Sequence, residues 1–256
     1  MKTNLQSPAR AMLNKVPEIT LYFWVIKILA TTVGETAADF LNFNLHLGLG
    51  NTTLIMSALL AAVLVAQFRT RRCVESVYWL AVVLISIVGT LITDNLVDNL
   101  GVPLPTTVWA FGGALTATFI GWYASEKTLS IHKVTTTRRE AFYWLAILFT
   151  FALGTAAGDL AAETMNLGYA NSTLMFAAMI GVVAVAYYGF RANAITTFWA
   201  AYILTRPLGA SFGDLLSQPV RLGGLGWGTV GTSAVFLGAI FALVVYISQR
   251  RKAHAV

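Results

Sequence analysis

Apolar residues run through this chain in long windows rather than in alternation. Eight such windows lie near 19–41, 53–68, 76–97, 106–123, 141–162, 171–190, 195–216 and 227–248. Their lengths approach the roughly 17–25 residues that carry a helix across a bilayer. No stretch alternates with the period of a membrane barrel. The pattern therefore predicts an all-α membrane protein with eight transmembrane helices.

The polar and aromatic positions inside the windows recur. An aromatic-Trp pair appears four times, as Phe23-Trp24, Tyr78-Trp79, Tyr143-Trp144 and Phe198-Trp199. Ten residues after each Trp stands Gly34, Gly89, Gly154 or Gly209; fifteen after stands Asp39, Asp94, Asp159 or Asp214. The Trp spacings are 55, 65 and 55, so the first half maps onto the second by a shift of 120 residues. The segment Leu47 to Leu54 matches Leu167 to Leu174 in the same register. A fixed repeat of this size signals duplication of one supersecondary unit. The expected organisation is a single membrane domain over 1–256, with repeats at about 15–70, 71–125, 138–191 and 192–250 and a cytoplasmic linker at 124–140. Each repeat holds two spans, so every copy enters the membrane in the same sense. That gives four tandem helical hairpins in parallel pseudo-symmetry about the membrane normal. The second span of each repeat carries almost no charge, which puts the first helices inside and the second outside.

Charge fixes the orientation expected. The chain is 57% apolar and 11% charged, with a net charge of +6. The basic residues Lys2, Arg10, Lys15, Arg69, Arg71, Arg72, Lys127, Lys133, Arg138, Arg139, Arg191, Arg250, Arg251 and Lys252 all fall on one side of the predicted spans, and the opposite loops hold Arg221. This asymmetry places both termini in the cytoplasm. It accounts for the positive charge without a nucleic-acid partner. No short apolar leader with a small-residue cleavage site is seen at the start, so no removable signal peptide is expected. Cys73 is the one cysteine, which excludes an internal disulfide and a multi-cysteine metal site.

With each Trp as position 0, the charges inside the first helices fall on steps of three or four. Lys27 is at +3, Arg206 at +7, Glu35 at +11 and the four Asp at +15; Asp98 and Glu163 follow at +19, where the other copies have Phe43 and Gln218. Residues so spaced share a helix face. At about 1.5 Å per residue the Asp lie roughly 22 Å beyond the Trp. Bases thus sit toward the inner end and acids toward the outer end. A small residue stands five before each repeated Asp and another just before it, four residues apart, at Gly34 and Ala38, Gly89 and Thr93, Gly154 and Gly158, Gly209 and Gly213. Such steps let membrane helices approach closely.

Intramembrane charge is costly and marks function by default. Carboxylates drawn together need protons or a cation beside them. The candidate metal ligands are Asp39, Asp94, Asp159, Asp214 and Glu35, with the hydroxyls of Thr36, Thr90, Thr93 and Thr155 in support; Lys27, Arg206, Asp98 and Glu163 are candidates for charge balance or gating. Five acids less two bases leaves three negative charges. An oxygen-only donor set suits a hard divalent ion such as manganese, magnesium or calcium. Pro207 should kink its helix, since it cannot donate to the Ile203 carbonyl.

Blander roles compete. The Asp can cap or bond neighbouring helices, Lys27 can pair with Glu35, and Arg206 with an Asp, all to hold the bundle together. The four Trp read as belt anchors at the membrane interface. His46, His132 and His254 fall in loops or the tail. Glu18, Glu75 and Glu140 look interfacial, and Asn51 and Asn171 read as helix N-caps.

The aromatic-Trp, Gly and Asp register, with the segment Ile203 to Ala210, resembles a family of bacterial inner-membrane proteins built of four tandem two-helix repeats, each with a Trp, of unknown function. The likeness covers about residues 15–250. It implies a multi-pass protein of the bacterial inner (plasma) membrane and supplies no substrate. The resulting expectation is a cation transporter needing no cofactor, with the lipid bilayer and a cation or small solute as partners and a homo-oligomer left open. The alternatives are a proton-coupled carrier of a small organic solute and a non-transport scaffold. No Ser-His, Cys-His or phosphate-loop arrangement supports an enzyme.

Overall fold

A computed structural model describes residues 14–44 and 47–253. Lys2, Arg10, His46 and His254 lie outside the described residues. Among those described there are eight long α-helices and no strand: α1 (Leu21–Asp39), α2 (Leu49–Arg69), α3 (Glu75–Asp94), α4 (Leu104–Glu126), α5 (Thr137–Asp159), α6 (Gly168–Tyr188), α7 (Ala194–Ser217) and α8 (Gly228–Ala253). Five stretches, α2, Glu75–Asn99, Thr137–Thr164, α6 and Gly228–Arg250, are long and apolar enough to cross a membrane. Helices α1 and α7 fall short of that measure and carry Lys27, Glu35, Arg206 and Asp214. α4 also falls short, and Thr and Gly recur along it.

The odd-numbered helices form a closed inner ring in which α1 packs on α3, α3 on α5, α5 on α7 and α7 on α1. The even-numbered helices lie outside it and are mostly exposed. Each outer helix packs chiefly against the first helix of the following repeat: α2 on α3, α4 on α5, α6 on α7, and α8 back on α1. The repeats are hairpins in connectivity, but their two helices are not the main packing partners. Each outer helix finds its main packing surface on the first helix of the next repeat.

Two side-chain patterns close the ring. At one end the aromatic-Trp pairs interlock in a cycle. Phe23 meets Trp79 at 5.4 Å between ring centroids, Tyr78 meets Trp144 at 5.5 Å, Tyr143 meets Trp199 at 6.2 Å and Phe198 meets Trp24 at 5.6 Å. Tilted and edge-on arrangements at such separations favour aromatic pairs. Trp79, Trp144 and Trp199 are 2–4% exposed. They are core residues rather than the lipid-facing anchors expected, because the preceding aromatic of the neighbouring repeat covers them.

Half-way along the ring the repeated glycines let the helices touch. A Cβ on Gly34 would collide with Ser86, one on Gly154 with Arg206, and one on Gly209 with Thr31; at Gly89 it would lie 2.6 Å from the Phe151 Cβ. Each Gly, at +10, faces the +7 residue of the next inner helix, and Gly209 returns to Thr31 to complete the circle. The small-residue steps are packing contacts.

In three repeats the α-helix passes into a π-helical turn directly after the repeated Asp, at Phe40–Asn44, Asn95–Asn99 and Leu160–Thr164. α7 instead contains Pro207. Asn51 and Asn171 are not N-caps: they sit in the first turns of α2 and α6 and donate back to the Leu47 and Leu167 carbonyls at 3.2 and 2.9 Å. Glu18 is exposed, whereas Glu140 is buried and accepts from Lys15 Nζ at 2.5 Å and from Gln67 Nε2 at 3.2 Å. Glu75 is buried too.

Candidate functional site

The stripe on the inner helices faces the ring axis and forms layers. Nearest the aromatic end, the Tyr78 and Tyr143 hydroxyls share a 2.5 Å hydrogen bond. Above them Lys27 is fully buried, its Nζ 4.1 Å from the Phe151 ring centroid and 4.2 Å from that of Tyr202. That ammonium has no hydrogen-bond partner among the described residues. It is held by two aromatic faces, each an attractive site for a cation. It does not pair with Glu35, which bonds Arg206 instead.

Arg206 occupies the next layer and is also fully buried. Its Nη1 donates to the Thr31 carbonyl at 2.7 Å, and Nη2 to Glu35 Oε2 at 3.0 Å, to Thr155 Oγ1 at 2.6 Å and to Thr90 Oγ1. Its Nε donates to the Phe151 carbonyl at 3.4 Å. One guanidinium, projecting from α7, thus ties α1, α3 and α5 together. Only Arg carries donors in a planar fork able to do this. The partner is Glu35 and not one of the repeated Asp. Thr31, Thr90 and Thr155 complete the layer; Thr36 and Thr93 bond elsewhere, to Ser233 and to the Ala152 carbonyl.

Beyond Arg206 lie the acids. Glu35, Asp159 and Asp214, from α1, α5 and α7, present carboxylate oxygens within 4.8 Å of one another. Asp39 and Asp94 stand outside that group. Asp39 Oδ2 accepts from Gln218 Nε2 at 3.3 Å, and the charges acting on Asp94 include Glu35, Asp159, Asp39 and Asp98. Exposure falls steadily inward: Asp98 and Glu163 are exposed, Asp39, Asp94 and Asp159 half-buried, Glu35 and Asp214 buried, and Arg206 and Lys27 sealed. The result is an acidic vestibule closed at its floor by Arg206, with the aromatic layers beneath. His132 lies in the loop before α5 and is remote from the acids in sequence and layer.

Two features of the site were not readable from spacing. The π-helical turns begin beside three of the acids, and such turns concentrate at functional sites. The carbonyls of Thr31 and Phe151 serve as Arg206 acceptors, a role no side-chain pattern reveals.

These observations define an internally repeated, all-helical protein of the described residues, with several helices fit to cross a membrane and polar chemistry on its axis. The family model of the Repeat of Unknown Function (DUF347) matches four times, at residues 22–73, 77–128, 142–193 and 197–253, and the chain belongs to that family. No curated protein and no solved structure matches it.

Proposed function

We propose that this chain is a transporter for a hard divalent cation, manganese or magnesium being the best fit. All eight helices span the bacterial inner membrane in parallel pseudo-symmetry, with the termini and aromatic end cytoplasmic and the acidic vestibule outward. The carrying observation is the Glu35–Asp159–Asp214 group on three inner helices. Ligand oxygens on opposite sides of a manganese- or calcium-sized ion, each at about 2.2–2.5 Å, stand some 4.5–5 Å apart. The three carboxylates present oxygens within 4.8 Å of one another, close enough for all three to reach one such ion. Asp39, Asp94, Asp98 and Glu163 would draw cations toward it, as rings of one sign do at channel mouths.

Arg206 gives the site its balance. In the state described it neutralises Glu35. A divalent ion entering the group competes with the guanidinium for the Glu35 carboxylate, so ion binding weakens the clamp across the four inner helices. The chain's own residues thereby link occupancy at the acids to the seal beneath them.

The test is manganese binding to purified protein, followed by flux in proteoliposomes. Asp159→Asn and Asp214→Asn should each weaken binding at least roughly tenfold, since affinity follows the charge count of the ligands. Retained binding and flux in the double variant would remove the basis for this reading. A proton-coupled carrier of a small organic solute is the second reading, favoured by Lys27, a buried amine with no anion bonded to it. Substrate-driven proton uptake indifferent to added metal would select it.

A further inference from the structure

The four aromatic seats at the Trp end are not filled alike. The Trp199 indole donates to the Leu129 carbonyl at 3.0 Å and is covered by Trp122 at 5.8 Å and Phe119 at 4.9 Å between centroids. Trp122 is fully buried. It stands 43 residues after its repeat's own Trp79, and the matching position in the third repeat is Tyr187. Tyr187 is 41% exposed, and Trp24, which it should cover, is the one repeat Trp left half-buried. Between them is a cavity of about 560 Å³. Its walls include Trp24, Ile28 and Phe198, and its polar lining includes Thr20, Ser130 and His132.

We propose that this groove holds one acyl chain of an anionic glycerophospholipid, with the headgroup phosphate bound by Lys133 and Arg191. The apolar wall continues onto the outer face of α6, where Val185 and Tyr188 are 59% and 81% exposed, so the groove opens onto the surface that meets lipid. Lys133 directly follows the lining residue His132. Arg191 lies in the turn between the lining residues Tyr188 and Ala194, and both cations are exposed. An apolar wall, polar lining groups and two exposed cations next to lining residues in sequence supply what acyl chain, ester and phosphate each require. Basic pockets between helices at the cytoplasmic side are where anionic headgroups bind. The inference rests on the membrane reading of the chain and not on the cation reading, and its test contains no metal.

Delipidated protein is incubated with equal amounts of phosphatidylglycerol and phosphatidylcholine of matched chains and weighed by native mass spectrometry. One phosphatidylglycerol per chain is expected, preferred roughly 30-fold over phosphatidylcholine, the effect of two surface cations. Lys133→Gln with Arg191→Gln should erase that preference. Ala184→Trp, at an exposed lining position that fold stability does not depend on, should block retention of either lipid while the protein still melts cooperatively. A lipid with brominated acyl chains should quench wild-type tryptophan fluorescence, and Trp24→Phe should lose most of that quenching. Equal retention of the two lipids, or retention undiminished in Ala184→Trp, would overturn the proposal.

Discussion

Replacing Arg206 by Met keeps the stem that packs against Gly154 and removes the guanidinium. The loss falls on α1, α3 and α5 together, because Glu35, Thr90, Thr155 and the Thr31 carbonyl are its acceptors. Glu35 is 5% exposed, so its carboxylate is left buried without a counter-charge, with only the long 3.4 Å bond from the Thr90 hydroxyl. Breaking a buried pair from one side costs about 3–5 kcal/mol. For a chain of this size 1 kcal/mol moves the midpoint by about 2–4 °C, so the variant should melt roughly 6–20 °C lower. Adding Glu35→Gln removes the stranded charge and should restore at least half of the loss, since a buried neutral amide is far cheaper than a buried ion. The assay is thermal unfolding in detergent followed by intrinsic fluorescence, run as a double-mutant cycle. A single variant within about 2 °C of wild type, or a double variant no better than the single, would show that the guanidinium does not hold the ring.

Four other outcomes follow from the same geometry. Gly89→Val should reduce yield and melting temperature, its Cβ lying 2.6 Å from that of Phe151, while Gly113→Ala, with nothing within 4 Å, should match or exceed wild type by the ordinary helix preference of up to about 1 kcal/mol. Lys27→Met should melt at or above the wild-type temperature, because relief of ammonium desolvation offsets two aromatic contacts of at most about 2 kcal/mol each; a fall of more than roughly 8 °C would contradict this. Glu140→Gln should speed tryptic cleavage after Lys15, whose ammonium it holds together with the Phe68 carbonyl, and unchanged cleavage would show that the N-terminal segment is secured elsewhere. Asp98→Asn, at an exposed position, should change manganese affinity less than threefold, against the larger loss at Asp214.

The ring was legible because its parts repeat. Gly34, Gly89, Gly154 and Gly209 share one register, and their separation from the Asp fixes which face is inward. Charges on steps of three and four marked the axis correctly, since Lys27, Arg206, Glu35 and Asp214 are all buried along it. Periodicity within one helix says nothing about its partner, which is why α2 packing on α3 was hidden. The Trp were misread for a related reason. A Trp near a span end suits a lipid interface equally well until its neighbour is known, and here Phe23, Tyr78, Tyr143 and Phe198 are those neighbours. Arg206 joining Glu35 depends on the crossing of α7 and α1, which are brought together although the two residues are 171 positions apart. The π-helical turns leave no composition signal, since Phe40–Asn44, Asn95–Asn99 and Leu160–Thr164 share little sequence.

The packing of each outer helix on the next repeat also shapes how the chain is made. A nascent chain emerges from α1 onward, yet two of the three main neighbours of α1, α7 and α8, come last. Until α7 leaves the ribosome, Glu35 has no counter-charge, and the polar face of α1 has no wall opposite it. Arrival of the seventh helix is therefore the step that closes the ring, because Arg206 on it bonds Glu35, Thr90 and Thr155 at once.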